Sequence, residues 1–134
     1  MSSLQETFSP DGPLARAITG YRVRAQQVDM AERIATAIHG CSVFIAEAGT
    51  GTGKTFAYLV PALQSGGKVI VSTGTKTLQD QLFNKDLPMV REALKAPVRI
   101  ALLKGRANYV CPYHLRRALA DGRFLTRDDA ADAR

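Results

Sequence analysis

Eight consecutive residues, Ala48, Gly49, Thr50, Gly51, Thr52, Gly53, Lys54 and Thr55, have the types and spacing to hold a triphosphate. They follow the Walker A spacing, with Ala48 at the place of the first glycine. The chemistry explains the composition. Phosphate oxygens need backbone N–H donors at close range, and Gly49, Gly51 and Gly53 leave the chain room to turn around them. A helix opening directly after the loop adds partial positive charge at its N-terminus. Lys54 has the reach for the β- and γ-phosphates, and the Thr55 hydroxyl suits a Mg²⁺ ion, so these two are the catalytic candidates. ATP and Mg²⁺ are the cofactors this pattern implies.

Flanking residues extend the site. Tyr21, Arg24, Gln27 and Met30 recur every three positions upstream of the loop. A glutamine side chain both donates and accepts, which suits the adenine edge. Tyr21 has two readings, stacking on the base or packing the loop, and the plain alternative for Gln27 is a surface helix residue. Downstream, Ser72, Thr73, Gly74, Thr75, Lys76 and Thr77 place hydroxyls and a glycine at a helix start. Such a stretch offers a second anion site, with Thr73, Thr75, Lys76 and Thr77 as its contacts; the alternative is simple capping by Thr75. Residues 104–111 run Lys-Gly-Arg-Ala-Asn-Tyr-Val-Cys. Lys104 and Arg106 are further candidates for phosphate contact. Cys41 reads as a buried small apolar residue.

Elements must hold these residues in place. Met30, Ile34 and Ile38 are spaced by four, which predicts a helix over 26–38, stopped by His39-Gly40. The apolar runs 43–46, 69–72 and 98–103 read as buried strands. Helices are predicted over 54–64, with Pro61 kinking or ending the first, and over 75–87, ended by Pro88. Residues 113–121 look helical, and 126–129 resemble a capping box opening another helix. Strand–helix alternation of this kind argues for an α/β fold with a parallel sheet and right-handed crossovers. Residues 1–20 hold turn signals around Ser9-Pro10-Asp11-Gly12-Pro13 and read as an N-terminal extension.

Composition sets the outer bounds. The 134 residues allow one modest domain, and no apolar run is long enough for a membrane span. Residues 1–7 lack the basic and apolar parts of a secretory signal. Two cysteines make no disulfide framework, so a cytoplasmic setting is expected. Net charge is +6, and residues 91–127 carry nine Lys/Arg against two acids. A basic segment on a near-neutral body suits a polyanion, although a solvated surface has the same composition.

The stretches 47–55, 72–82 and 104–111 together resemble the XPD/DinG-type iron–sulfur DNA helicases of superfamily 2, in particular the bacterial DinG/YoaA branch. The likeness covers the chain from about Pro10 onward. It implies a RecA-like P-loop fold, with 21–104 as the N-terminal part of the first motor domain and 105–134 as the start of the iron–sulfur region. It also implies that Tyr21, Arg24 and Gln27 form a Q motif, that 72–82 is motif Ia on the nucleic-acid backbone, and that Cys111 is the first of four thiolates to a [4Fe–4S] cluster. The implied activity is ATP-dependent 5′-to-3′ helicase action on single-stranded or forked DNA, in repair and replication. A cubane needs four thiolates, and only Cys111 stands in the right place. The chain is therefore expected to be an N-terminal portion, barely active without the remainder of the helicase. Two other readings are a P-loop module that binds without unwinding, and a P-loop ATPase such as a kinase or transporter subunit. The spacing around Gln27 and the 104–111 stretch speak against the last.

Overall fold

The computed structural model describes residues 3–122. Among these, the regular elements are α1 (Leu4–Thr7), α2 (Pro13–Ala17), α3 (Ala25–His39), α4 (Lys54–Gln64), α5 (Lys76–Gln81), a π turn (Leu82–Asp86), α6 (Leu87–Leu94), a 3₁₀ turn (Arg106–Asn108) and α7 (Pro112–Asp121). The chain divides after Ala101 into two compact units. The capping box expected at 126–129 lies outside the described residues.

In the first unit α3 packs along α4, and α6 closes against α2 and α4. Phe8, Leu14, Ala31, Ala57, Leu59, Val60, Leu82 and Val90 form the buried core. The first twenty residues, read as an extension, supply two of these side chains. Ser3 and Glu6 cap α1 reciprocally: the Glu6 N–H donates to Ser3 Oγ at 3.1 Å, and the Ser3 N–H to a Glu6 carboxylate oxygen at 2.8 Å. Buried Thr7 accepts from Gln64 Nε2 at 3.2 Å, which ties α1 to the end of α4.

Two prolines sit inside helical segments, Pro61 within the expected helix over 54–64 and Pro88 past the expected helix end at 87. Pro61 does not end α4, which runs on to Gln64. A helix-interior proline costs about 3 kcal/mol. Full burial of Leu59 and Val60 offsets that, at about 1.5–3 kcal/mol each. Pro88 does not stop the second helix either. The chain widens into the π turn, where the Leu87 N–H donates to the Leu82 carbonyl, and α6 continues with Pro88 in its first turn. The wider turn accommodates a residue without an N–H.

Cys41 also departs from expectation. It is exposed rather than buried, with φ +48°. Gly40 keeps φ −83°, so the left-handed cap of α3 falls on Cys41. The Ser42 N–H then reaches back to the Ala37 carbonyl at 3.0 Å, as a Schellman turn requires. A residue in that position lies beyond the last helical turn, and its side chain meets solvent.

The largest correction concerns the sheet. None of the runs 43–46, 69–72 and 98–103 forms a strand among the described residues. Many of their apolar side chains face solvent, with Val43 and Ile45 each 90% exposed and Ile70 95% exposed, while Val98, Ile100 and Leu102 are half-buried. A parallel strand is held by ladders to neighbouring strands and by layers on both faces. Here the runs have the composition of such strands without the ladders.

Candidate functional site: the P-loop and the start of α3

The glycine-rich loop enters α4 at Gly53, whose φ is +83°. Gly51 is also left-handed, at φ +79°. The two differ in surroundings. A Cβ on Gly51 would meet open space, whereas one on Gly53 would collide with the amide of Gln27. Gly53 is therefore required twice, by its backbone angle and by a close approach.

Lys54 folds back into its own loop. Its Nζ donates to the carbonyls of Ala48 and Gly49, both at 2.7 Å. The Thr52 hydroxyl donates to the same Gly49 carbonyl at 2.9 Å. The ammonium thus sits against the loop, with carbonyl oxygens as acceptors that phosphate oxygens can replace. Thr55, the Mg²⁺ candidate, is half-buried in the first turn of α4. Tyr58 lies one turn on, near enough for the Thr55 hydroxyl to favour its ionised form. Burial pushes the Tyr58 phenol up, the Thr55 hydroxyl opposes this, and the charge of Asp86 adds to it. Tyr58 and Asp86 were missed by the sequence reading; the i, i+3 spacing of Thr55 and Tyr58 is the signal that points to the first.

Of the residues before the loop, Gln27 meets it. It is only 3% exposed, and its Nε2 donates to the Gly53 carbonyl at 2.8 Å. The surface-residue reading of Gln27 is thereby replaced by a buried one. Arg24 caps the start of α3 with extended backbone, and its guanidinium lies close to Gly53. Tyr21 turns away from the loop. Its hydroxyl donates to the Phe8 carbonyl at 3.0 Å, and its ring packs on the core. Burial raises the Tyr21 phenol, with Arg24 pulling the other way. Between α3 and the loop lies a cleft of about 380 Å³, lined by Gln27, Met30, Arg33, Gly49, Thr52 and Lys54 among others.

The second anion site is simpler. Thr75 caps α5, accepting from the Leu78 N–H at 3.2 Å, and the Thr73 hydroxyl donates to the Thr75 carbonyl at 3.2 Å. Lys76 and Thr77 are exposed on the first turn. In the second unit Lys104 is held through its backbone, whose N–H donates to the Tyr109 hydroxyl at 2.8 Å. Arg106 opens the 3₁₀ turn. Cys111 is an exposed thiol at the N-cap of α7. Among the described residues no group of three or more His, Cys, Asp or Glu is placed to hold a metal. With two cysteines in the sequence, this chain by itself does not supply the donors of a cubane. Thr55 presents a hydroxyl in the first turn of α4.

Residues 27–110 match the DEAD/DEAH box helicase family. The chain is 53% identical over 121 residues to the ATP-dependent DNA helicase YoaA of Haemophilus influenzae, covering 90% of this chain and 19% of that protein. It is 52% identical over 120 residues to the Escherichia coli protein of the same name, with coverage of 89% and 19%. The ATP-dependent helicase DinG of Mycobacterium tuberculosis is 45% identical over 103 residues, covering 71% of this chain and 15% of that protein. The chain thus spans about a fifth of the length of the two YoaA proteins it matches. No solved structure matches it. A lysine-bearing P-loop, a buried glutamine set against it and a family match that begins at that glutamine make one conclusion: this chain belongs to the DEAD/DEAH box helicases, among relatives of the YoaA and DinG type.

Proposed function

We propose that this chain is the nucleotide-binding part of an ATP-dependent DNA helicase, which couples hydrolysis to movement along single-stranded DNA and to duplex unwinding. The observation that carries the reading is the loop at 48–55, with Lys54 lodged in it and Thr55 opening α4. Nucleotide enters by exchanging the Ala48 and Gly49 carbonyls on Lys54 for phosphate oxygens. Backbone N–H groups from Gly49 to Gly53 and the start of α4 face the remaining negative charge. Thr55 would hold Mg²⁺, which neutralises charge on the transferring phosphoryl group. Gln27, on the cleft wall, selects adenine; Arg24 lies beside it, and Tyr21 supports the segment from behind.

In this reading the apolar runs 43–46, 69–72 and 98–103 are strands of a RecA-like parallel sheet. Leaving Val43, Ile45 and Ile70 in water forgoes about 1.5–3 kcal/mol each, which pairing and covering layers would recover. The hydroxyls of Thr73, Thr75 and Thr77, with Lys76, hold the DNA backbone, and Lys104 and Arg106 add phosphate contacts. Cys111 would supply one thiolate to a [4Fe–4S] cluster, which needs three further thiolates that this chain does not provide. The decisive experiment is ATP hydrolysis by the complete protein with and without single-stranded DNA. Stimulation by DNA, together with strand separation on a 5′-tailed duplex, is expected. Hydrolysis indifferent to DNA favours the P-loop module without unwinding.

A further inference from the structure

Among the described residues, Asp86 is the one buried side chain that carries a charge, at 5% exposure. Burying a carboxylate is costly unless hydrogen bonds hold it. Gln81 supplies one, its Nε2 donating to Asp86 Oδ2 at 3.2 Å across a spacing of 5 residues. On an α-helix, residues at that spacing point about 140° apart. Here they bracket the π turn, which the Leu87 N–H closes on the Leu82 carbonyl with the same spacing. The wider turn brings such residues back toward one side. The side-chain bond therefore belongs to the π register and favours it over the α register.

The turn joins two parts of the molecule that the proposed function uses. Before it stands α5, which opens at Thr75 and carries Lys76 and Thr77. After it, α6 packs on α4, the helix that starts at the P-loop, with Leu82 and Val90 buried in the core. The charge of Asp86 also reaches Tyr58 on α4, one turn beyond Thr55. We propose that Asp86 is a positioning residue that couples the two sites: through Gln81 it holds the π turn, and the turn sets the rotation of α5 relative to α6 and α4. This rests on reading 48–55 as the nucleotide site and 73–77 as a DNA contact. Each residue of register turns α5 by about 100°. Pro88 disfavours a return to the α register, so losing the bond loosens the turn rather than unfolding it. The link between DNA contact and phosphate loop weakens while both sites stay intact.

Titration of single-stranded DNA against ATP hydrolysis by the complete protein tests this. Gln81 is exposed, so Gln81→Met removes the donor without opening the core. Its stimulated rate at saturating DNA should fall about three- to tenfold, the loss expected for one hydrogen bond. The DNA concentration for half-maximal stimulation and the affinity for Mg·ATP should stay within about twofold of wild type. Asp86→Leu should show the same loss, and the double variant no more than either single one. Where Asp86→Leu does not fold, Gln81→Met decides alone. A raised half-maximal concentration with full stimulation would make Gln81 a plain DNA contact and overturn the inference. Additive losses would overturn it too, as would a stimulated rate equal to wild type or a loss of Mg·ATP affinity in Gln81→Met. If wild type hydrolyses ATP without any response to DNA, the reading of 73–77 falls first and the inference with it.

Discussion

The loop at 48–55 and the apolar run that leads into it are neighbours in sequence and opposites in structure. The loop is interlocked. Lys54, Thr52 and Gln27 all bond to its carbonyls, and α4 behind it is buried against α3. The run at 43–46 is bare, with Val43 and Ile45 facing solvent and no ladder on either edge. Helices satisfy their backbone within one segment, and the α3–α4 pair finds its apolar partners close in sequence. A parallel strand has neither resource and depends on strands brought from elsewhere. The comparison teaches that the phosphate-binding end is set by contacts local to this chain, while the apolar run before it has none of the strand neighbours its composition suits.

The largest expected effect lies at the interlocked end. Lys54→Ala removes the ammonium from the loop and from the phosphates, and should weaken ATP binding about a hundredfold in titration, since hydrogen bonds to charged groups contribute about 1.5–3 kcal/mol each. Retained affinity would mean that the loop does not hold phosphate.

The two left-handed glycines sharpen the comparison within the loop itself. Gly53→Ala carries the left-handed cost of about 1–2 kcal/mol and displaces Gln27 as well. Gly51→Ala carries only the first, in open space. Thermal melts and ATP titration should rank Gly53→Ala clearly below Gly51→Ala; equal effects would deny the contact with Gln27.

Thr75→Ala removes the cap of α5, worth about 1 kcal/mol in a thermal melt. If the hydroxyl also meets DNA, the variant should in addition weaken single-stranded DNA binding. An unchanged DNA affinity would leave Thr75 as a cap alone. The smallest effect belongs to Cys41. Cys41→Gly puts the preferred residue at the left-handed end of α3 and should raise stability by up to about 1 kcal/mol. A lower melting temperature would show that the exposed thiol makes a contact that matters.

The helices and the P-loop were legible in the sequence because their signals are local. The bounds of α4 follow from the loop that opens it, and α3 follows from Met30, Ile34 and Ile38. Gln27 was found by its spacing from the loop, yet its burial and its bond to Gly53 depend on how α3 docks on α4, which spacing does not encode. Cys41 was misread because burial was inferred from residue type, whereas backbone angle decided its place. Pro88 was misread for a related reason: a π turn outweighed a local rule. The strands were read from composition, and composition says what a segment suits, not whether its partners are present.

The most direct test of the nucleotide-binding account is a calorimetric titration of the wild-type protein with Mg·ATP and then Mg·GTP. The account predicts one saturable site, with ATP favoured by about tenfold or more through the acceptor oxygen of Gln27. No saturable binding of ATP, or equal affinity for the two nucleotides, would contradict it.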